Sequence, residues 1–254
     1  MWFEFITNTE CNWNCEYCTF DRIPNHKMNI SVLQKHQYIF DMMKIIRENM
    51  DVEVVCEGGE IGFMDNPTLE ALFKKIDQKV IINTNGMFFE SNRESLYPYI
   101  DKVFYHIAQD AKTLFKVKTL DVPFDVVYGL VNDSAEESKE FIEYNSHIKI
   151  DYNEYEFINI PPKEQKNYEL HRKACWNCNP FTVIDLAREV ILPCAARGAH
   201  VSIPLTQKNL WGLLCSYTES DQVNEMCQTC YRMCMTQDWK EVIQRKAKLK
   251  KILK

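Results

Sequence analysis

The chain is poor in glycine and lacks long apolar runs. It holds seven glycines in 254 residues, less than half of the roughly 7% that proteins use on average. No stretch approaches the roughly 18 consecutive apolar residues that indicate a membrane span, and no Lys or Arg precedes Arg22, which argues against a secretory signal peptide. With 46% hydrophobic and 26% charged residues, the composition excludes a disordered or low-complexity chain. A chain of this length folds as one large domain or as two smaller ones.

Cysteine, by contrast, is abundant. The chain has 11 cysteines, an odd number, and no export signal precedes them. This combination is typical of a reducing compartment, in which clustered thiols bind metals more often than they form disulfides. We therefore expect a cytoplasmic protein that uses its cysteines as metal ligands.

The net charge of −6 conceals a basic C-terminal segment. Residues 240–254 contain seven Lys or Arg and one Glu, a local charge of +6, so the remaining residues carry −12. A basic tail can indicate nucleic-acid binding. Here the apolar residues follow a helical spacing, so a closing amphipathic helix with a solvated basic face is the preferred interpretation. No membrane or nucleic-acid partner is expected.

Six β-prone runs alternate with helical patterns up to residue 158. The predicted strands are 3–9, 53–56, 80–84, 103–108, 124–131 and 148–158. Ser31 with Gln34, and Asn66 with Pro67, predict the starts of two intervening helices. This rhythm predicts a parallel sheet with right-handed crossovers. Six units rather than eight predict an α/β fold of the partial (β/α)6 barrel type, whose chemistry lies at the carboxyl ends of the strands.

Three cysteines follow the first predicted strand in the pattern Cys11-x3-Cys15-x2-Cys18. Three thiolates on one short loop can bind three irons of a cubane iron–sulfur cluster and leave the fourth iron open for an outside ligand. A structural zinc site would need four ligands, and His26 is the one other nearby residue that could supply one. The pattern therefore indicates a [4Fe–4S] cluster.

These residues resemble the signature of the radical S-adenosylmethionine (SAM) superfamily, in which an aromatic residue such as Tyr17 precedes the third cysteine. The resemblance extends to Gly58-Gly59-Glu60 after the second predicted strand, which is similar to the family motif that binds the amino group of SAM. Two glycines allow a close backbone approach, and a carboxylate can accept hydrogen bonds from an ammonium group. The resemblance implies that SAM binds at the open iron and contacts four residues: Tyr17, Gly58, Gly59 and Glu60.

Weaker matches lie at the ends of later strands. Thr84-Asn85-Gly86 resembles a frequent turn of the superfamily, and Gly129–Asp133 resembles the end of the fifth strand in its GTP 3′,8-cyclase branch. By analogy, Asn85, Gln109 and Asn132 would contact the ribose or the carboxylate of SAM. The alternative for each is a turn-forming or capping role. Two further strand residues are expected to be packed rather than catalytic: His106 and Cys56.

A second group of cysteines lies near the C-terminus, at Cys175, Cys178, Cys194, Cys215, Cys227, Cys230 and Cys234. The 48 residues between its two Cys-x2-Cys pairs exceed the roughly 15–20 of a zinc ribbon. The layout instead resembles the twitch or SPASM domain that follows many radical SAM barrels, in which a hairpin ends in Pro-Cys, as 190–194 does. The resemblance implies one auxiliary [4Fe–4S] cluster on Cys178, Cys194, Cys227 and Cys230. Cys175 and Cys234 are alternate ligands, and Cys215 is either a ligand or structural.

We accordingly expect two domains. Residues 1–160 would form the radical SAM partial barrel, and residues 161–254 a small twitch/SPASM-like domain with a C-terminal helix. The resemblance implies reductive cleavage of SAM to a 5′-deoxyadenosyl radical, with flavodoxin or ferredoxin as electron donor, and then oxidative modification of a substrate. No catalytic acid or base is identified.

Three functions compete at this point. A ribosomally made peptide that is cross-linked, dehydrogenated or epimerised is the preferred substrate, because peptide modifiers are the more populous class. A small-molecule dehydrogenase acting on an aminocyclitol or sugar-like compound is the alternative. A non-catalytic zinc or iron–sulfur scaffold would use the late cysteines but would have no need for the Gly-Gly-Glu turn.

Overall fold

One sheet runs through the part of the chain that the computed structural model describes, which is residues 1–15, 18, 25–109, 111–132, 135–154, 181–192, 202–215 and 239–254. The nine strands in these ranges are β1 (Trp2–Ile6), β2 (Glu53–Glu57), β3 (Val80–Thr84), β4 (Ile100–His106), β5 (Asp125–Asn132), β6 (Ile150–Glu154), β7 (Phe181–Asp185), β8 (Val190–Leu192) and β9 (Ile203–Pro204). Their order across the sheet is β6-β5-β4-β3-β2-β1-β7-β8-β9.

Helices separate several of the strands. Those in the described ranges are α1 (Ile30–Lys35), α2 (Gln37–Arg47), α3 (Asn66–Ile76), α4 (Ala135–Tyr144), α5 (Gln207–Cys215) and α6 (Trp239–Ile252). Neighbouring strands from β1 to β6 are all parallel, and each overlaps one of the six predicted runs. The prediction of a mixed α/β fold with a mainly parallel sheet is therefore confirmed.

The two faces of the central strands differ in polarity, because successive side chains point to opposite faces. Cys56 and Ile82 lie in the same core cluster as Phe5, together with the apolar faces of α2 and α3. Cys56 is 0% exposed, which confirms its predicted burial, and burial raises the pKa of its thiol. The opposite face carries Glu57 and Asn83, both only half-buried. Polar side chains on that face therefore lie next to the carboxyl edge of the sheet.

Two helices begin close to their predicted starts but use different caps. The cap of α1 is Asn29, whose side chain accepts a hydrogen bond from a first-turn N–H at 3.1 Å, rather than Ser31. The cap of α3 is Asp65, which accepts a hydrogen bond from the N–H of Thr68 at 2.8 Å, rather than Asn66. In both cases a short acceptor side chain one or two positions earlier satisfies the free N–H groups.

The C-terminal strands extend the same sheet on the other side of β1. β7 pairs with β1 in parallel, from Trp2 opposite Phe181 to Ile6 opposite Asp185, and β8 and β9 follow in antiparallel pairing. The predicted hairpin is thus present up to residue 192, as β7–β8. The predicted domain boundary between residues 160 and 161 lies outside the described residues.

The predicted closing helix is present as α6. Leu249 is 1% exposed and belongs to the same core cluster as Leu210 and Leu214 of α5. Lys248 Nζ donates to the carbonyl of Asn49 at 2.7 Å, at the end of α2. The helix therefore packs on the main core through its apolar face, as its spacing predicts. None of the described helices is both long and apolar enough to cross a membrane.

Candidate functional site

The cysteine loop, residues 10–25, follows β1 and is closed at its base by backbone pairing. The N–H of Thr9 donates to the carbonyl of His26 at 2.9 Å, and the N–H of Met28 donates to the carbonyl of Thr7 at 2.9 Å. An isolated antiparallel bridge lies between these two bonds. The loop therefore starts and ends at the carboxyl edge of the parallel strands, where the fold predicts the chemistry.

The three cysteines of the predicted motif all fall within the described part of this loop. Cys11, Cys15 and Cys18 are half-buried cysteines. The N–H of Cys18 donates to the carbonyl of Cys15 at 3.0 Å, which holds these two residues in one turn. Burial raises the pKa of the Cys11 thiol. Because iron binds the thiolate, metal binding here must also deprotonate the cysteines.

The donor set of this loop can be tested against the metal sites that cysteines form. Among the described residues, no three His, Cys, Asp or Glu side chains are grouped so as to hold one metal ion. A cubane cluster does not require the thiols to converge on one point, because each thiolate binds a different iron. Three half-buried thiols on one anchored loop therefore fit a [4Fe–4S] cluster better than a zinc ion, which needs four ligands around one centre.

The turn after β2 is hydrogen-bonded to the residues that lead into the cysteine loop. The N–H of Gly59 donates to the carbonyl of Asn8 at 2.8 Å, and the N–H of Glu60 donates to the carbonyl of Glu10 at 2.7 Å. A Cβ atom on Gly58 would lie 2.2 Å from the Asn8 carbonyl oxygen, and one on Gly59 would lie 2.3 Å from that of Glu10. No side chain fits there, so the two glycines are required for this contact.

Glu60 is a buried carboxylate, 1% exposed. Its Oε1 accepts hydrogen bonds from the N–H of Gly62 and the hydroxyl of Thr84, both at 2.7 Å, and its Oε2 accepts one from the N–H of Asn85 at 2.6 Å. Burial raises the pKa of Glu60, and these hydrogen bonds and the charge of Arg93 oppose that rise. The carboxylate therefore joins the end of β2 to the end of β3. Its predicted contact with the amino group of SAM stays a prediction.

A buried cation accompanies this carboxylate. Arg93 is 3% exposed, and its Nη2 donates to the carbonyls of Gly62 at 2.7 Å and Met64 at 2.9 Å. The guanidinium carbon lies 5.0 Å from the centre of the Phe88 ring. Burial lowers the pKa of Arg93, and the charge of Glu60 raises it. Each of the two buried charges thus offsets part of the cost of burying the other.

The turn after β3 brings a side-chain amide to the cysteine loop. Asn85 Nδ2 donates to Asn12 Oδ1 at 2.8 Å and to Cys11 Sγ at 3.7 Å. The next residue, Gly86, has a φ of +104°, and a Cβ atom there would lie 2.7 Å from the ring of Tyr105. The cysteine loop and the turns after β2 and β3 therefore meet at one edge of the sheet.

The other predicted site residues lie at the ends of later strands, in the core or outside the described ranges. Gln109 is exposed beyond the end of β4, and Asn132 is the last residue of β5, opposite Glu154 of β6. Cys215 is 5% exposed within the main core, which favours the structural alternative for it. The following residues lie outside the described ranges: Tyr17, Cys175, Cys178, Cys194, Cys227, Cys230 and Cys234. Their predicted roles stay predictions.

A polar row on the sheet face opposite the helices was not identified from the sequence. Asn83 Nδ2 donates to the carboxylate of Glu57, and Asn83 Oδ1 is buried without a partner among the described residues. Burial lowers the pKa of His106, and the nearby Glu57 carboxylate raises it. The available signal was the two-residue period of side chains along a strand, which places all three side chains on one face.

The solved structures that this chain resembles include BtrN and SuiB. BtrN, solved in complex with AdoMet and 2-DOIA, is 13% identical with a TM-score of 0.47, over 91% of this chain and 86% of its own. SuiB from Streptococcus suis, solved bound to S-adenosylmethionine, is 12% identical with a TM-score of 0.48, over 89% of this chain and 67% of its own. No family model and no curated protein matches the chain. At these identities and scores, neither neighbour assigns a function to this chain.

Proposed function

We propose that this chain is a radical SAM enzyme in which Cys11, Cys15 and Cys18 bind a [4Fe–4S] cluster and SAM binds at the turns after β2 and β3. The observation that carries this proposal is the hydrogen bonding of the 58–60 turn to the residues that lead into the cysteine loop. The glycine turn is thereby bonded, at the carboxyl edge of the sheet, to the residues directly before the cysteine motif. A scaffold that merely held metal would have no need for a glycine turn at that position.

Cys11, Cys15 and Cys18 would hold the cluster, which would supply the electron for reductive cleavage of SAM to methionine and a 5′-deoxyadenosyl radical. The protein contributes acceptors for the amino group of SAM. In the part of the chain that is described, the carbonyls of Gly58 and Gly59 accept no hydrogen bond. Each can therefore accept one from an ammonium group, while the buried carboxylate of Glu60 holds the turn in shape.

We further propose that strands β1–β6 form the partial (β/α)6 barrel and that residues 161–254 carry a twitch/SPASM-like domain. The β7–β8 hairpin supports this assignment, because the resemblance requires a hairpin directly before Cys194. An auxiliary [4Fe–4S] cluster on Cys178, Cys194, Cys227 and Cys230 would provide an electron acceptor beside a substrate radical. That arrangement suits an oxidative outcome, so the enzyme would be an oxidoreductase that receives its own electrons from flavodoxin or ferredoxin.

For the substrate, we propose a ribosomally made peptide that is cross-linked, dehydrogenated or epimerised. One observation favours the small-molecule alternative. Glu57, Asn83 and His106 place a carboxylate, an amide and an imidazole on one face of the sheet, and the amide oxygen has no partner among the described residues. Such groups suit the hydroxyl and amino groups of an aminocyclitol or sugar-like compound, for which the reaction would be a dehydrogenation.

Formation of 5′-deoxyadenosine tests the proposal. Anaerobically reconstituted protein, incubated with dithionite and SAM, should form 5′-deoxyadenosine, and simultaneous change of Cys11, Cys15 and Cys18 to Ala should abolish it. Cys215→Ala is the matched control, since this buried thiol lies in the core, and it should leave cleavage intact. Unchanged cleavage in the triple variant would show the cluster assignment to be wrong. Zinc in place of iron in the parent protein would favour the scaffold.

A further inference from the structure

The side chain of Asn85 has a fixed orientation between the cysteine loop and the turn after β3. Its Nδ2 donates to Asn12 Oδ1 at 2.8 Å and to Cys11 Sγ at 3.7 Å. Its Oδ1 accepts a hydrogen bond from the N–H of Met87 at 3.3 Å. Because a backbone N–H can only donate, the Met87 contact decides which end of the amide is the oxygen. The NH2 group therefore faces the cysteine.

The backbone of Asn85 is equally constrained. Its N–H donates at 2.6 Å to the carboxylate of Glu60, which is 1% exposed. The preceding Thr84 is 2% exposed and donates to the same carboxylate, and the following Gly86 occupies a left-handed conformation that only glycine adopts easily. These contacts hold the amide group against Cys11, so it does not have to be ordered when a metal is bound.

A hydrogen bond to a cysteine sulfur changes the electrostatics of an iron–sulfur cluster. Reduction adds negative charge to the cluster, and a donor that points at a ligand sulfur stabilises that charge, so it raises the reduction potential. The effect is larger at a partly buried sulfur than in water, because the local dielectric constant is lower. Cys11 is such a sulfur, since it is half-buried.

We infer that Asn85 is a positioning residue that hydrogen-bonds the Cys11 ligand and raises the reduction potential of the cluster that the cysteine loop binds. This inference rests on the proposed function. The sequence resemblance predicts a different role for Asn85, a contact with the ribose or carboxylate of SAM. However, both N–H groups of its amide are used by Cys11 and Asn12. The N–H groups of the amide therefore act on a cluster ligand, and the predicted contact of Asn85 with SAM, for which its Oδ1 keeps a second lone pair, stays a prediction.

The potential of the cluster is the readout that a merely structural residue would not change. The full-length parent, Asn85→Leu and Asn85→Asp are reconstituted anaerobically and titrated with dithionite, followed by EPR. The cluster of the cysteine loop is identified as the species whose EPR signal changes when SAM is added. At a fixed ambient potential, Asn85→Leu should lower the ratio of reduced to oxidised cluster by up to tenfold, or ~59 mV for one electron. Asn85→Asp should lower it further, because it also adds a negative charge.

Asn12→Ala is the matched control. It removes the other acceptor of the same amide and leaves the contact with Cys11, so its potential should equal that of the parent. Normal iron content with an unchanged potential in both Asn85→Leu and Asn85→Asp would overturn the inference. A parent that holds no iron and forms no 5′-deoxyadenosine would instead refute the proposed function.

If the Asn85 variants lose their iron, a second measurement tests whether the Asn85 amide lies against the Cys11 ligand. Parent protein labelled with 15N in the asparagine side-chain amides is reduced and examined by pulsed EPR, with Asn12→Ala labelled in the same way. A nitrogen coupling that persists in Asn12→Ala is expected, because the Asn85 amide stays against the Cys11 sulfur. Absence of the coupling in both samples would overturn the inference without any change at position 85.

Discussion

His36 Nε2 lies 2.7 Å from the carboxylate of Glu189, a residue 153 positions further along the chain. His36 is 3% exposed, and its Nδ1 lies 3.0 Å from the hydroxyl of Tyr38. Lys35 forms an ion pair with the same carboxylate. The junction of α1 and α2 is thereby connected to the turn between β7 and β8. The helices that follow the cysteine loop and the C-terminal hairpin are thus directly linked.

Loss of the charge on Glu189 should weaken that link. The Lys35 and His36 partners lower the pKa of Glu189 below its ordinary value of 4.5. Its contribution to stability is therefore complete above about pH 4.5 and is lost as the pH falls through the folded pKa. At neutral pH, Glu189→Gln should lower Tm by roughly 2–4 °C, which corresponds to about 1 kcal/mol in a chain of this size. Thermal unfolding followed by circular dichroism at several pH values checks this expectation.

Glu143→Gln is the control for that experiment. Glu143 is an exposed glutamate of α4 whose ion pair with Lys139 spans 3.9 Å at the surface. Such pairs contribute little, typically about 0–1 kcal/mol, so Tm should barely change. An equal loss of stability in Glu143→Gln and Glu189→Gln, or a Glu189→Gln effect that persists below the folded pKa, would contradict the proposed link.

The glycine turn after β2 offers a test of how the cysteine loop is positioned. Gly59→Ala places a Cβ atom 2.3 Å from the Glu10 carbonyl oxygen, so one of the two backbones must move. We expect a loss of about 1–3 kcal/mol in the free energy of unfolding, as in overpacked cores. SAM cleavage should fall roughly a hundredfold, the scale of a 1 Å misplacement at a reacting centre. Urea unfolding and 5′-deoxyadenosine formation measure the two effects.

Gly212→Ala is the matched control for Gly59→Ala. It makes the same change from glycine to alanine, and we expect the opposite effect on stability. Gly212 lies inside α5, and no atom comes within 4 Å of a Cβ atom placed there. Replacement of glycine by alanine in a helix interior should stabilise the protein by roughly 0.5–1 kcal/mol and leave SAM cleavage unchanged. If Gly59→Ala behaved like Gly212→Ala, the turn would not position the cysteine loop.

Glu60→Gln tests how far the charge and the hydrogen bonds of this carboxylate stabilise the folded protein. The change keeps the shape but leaves one N–H donor facing the new NH2 group, and hydrogen bonds to a charged group contribute about 1.5–3 kcal/mol. Burial raises the pKa of Glu60 above 4.5, so Glu60 favours folding most below that pH and less as the pH rises through the folded pKa. The difference in unfolding free energy between parent and variant should therefore narrow from acid to neutral pH.

Urea unfolding across this pH range, with SAM affinity by calorimetry, provides the measurement. SAM affinity should fall roughly tenfold, equivalent to about 1.4 kcal/mol, because the 58–60 turn and Asn85 lose their common anchor. Iron bound to the cysteine loop should stay at the parent level. A variant that is as stable as the parent at every pH would show that the three hydrogen bonds of Glu60 do not brace the site.

The iron content of the protein tests the proposed auxiliary cluster. With one four-iron cluster per site, the parent should carry about eight irons. Cys194→Ala or Cys230→Ala should leave about four, since the cysteine loop has its own ligands. Cys175→Ala and Cys234→Ala are the internal controls and should keep all of them. About twelve irons in the parent, or iron loss with Cys175→Ala, would show the ligand assignment to be wrong.

The strands were predictable because their signals are local. Four of the five residues of Val80–Thr84 are β-branched, the run ends at Asn85-Gly86, and the structure places β3 there. The hydrogen bonds that Glu60 accepts could not be predicted from such local signals. Its resemblance to a ligand motif predicts a contact with SAM, whereas Thr84 and Asn85, which donate to its carboxylate, come from the next strand. Sequence order does not show that these groups meet.

The β7–β8 hairpin likewise has one feature that the sequence predicts and one that it does not. Its second strand was predicted from the run that begins at Val190, and β8 begins at that residue. Its attachment to β1 was not predicted, although five residues of β7 pair with β1. Parallel pairing over so long a sequence separation leaves no turn signal or fixed spacing in the chain. The N-caps of α1 and α3 differ from the predicted ones for a simpler reason. Several neighbouring residues could each serve as the cap.

The position of β1 in the middle of the sheet has a consequence for how the chain is made. β1 is synthesised before the other strands of this sheet, but one of its two partners is β7, which ends at Asp185. At about 5–20 residues per second, roughly 6–26 s separate the synthesis of β2 from that of β7. During that interval Trp2–Ile6 is an edge strand with unpaired backbone groups, which invites pairing with other chains. Glu4 places a charge in the middle of that strand, and charges on an exposed edge oppose such pairing.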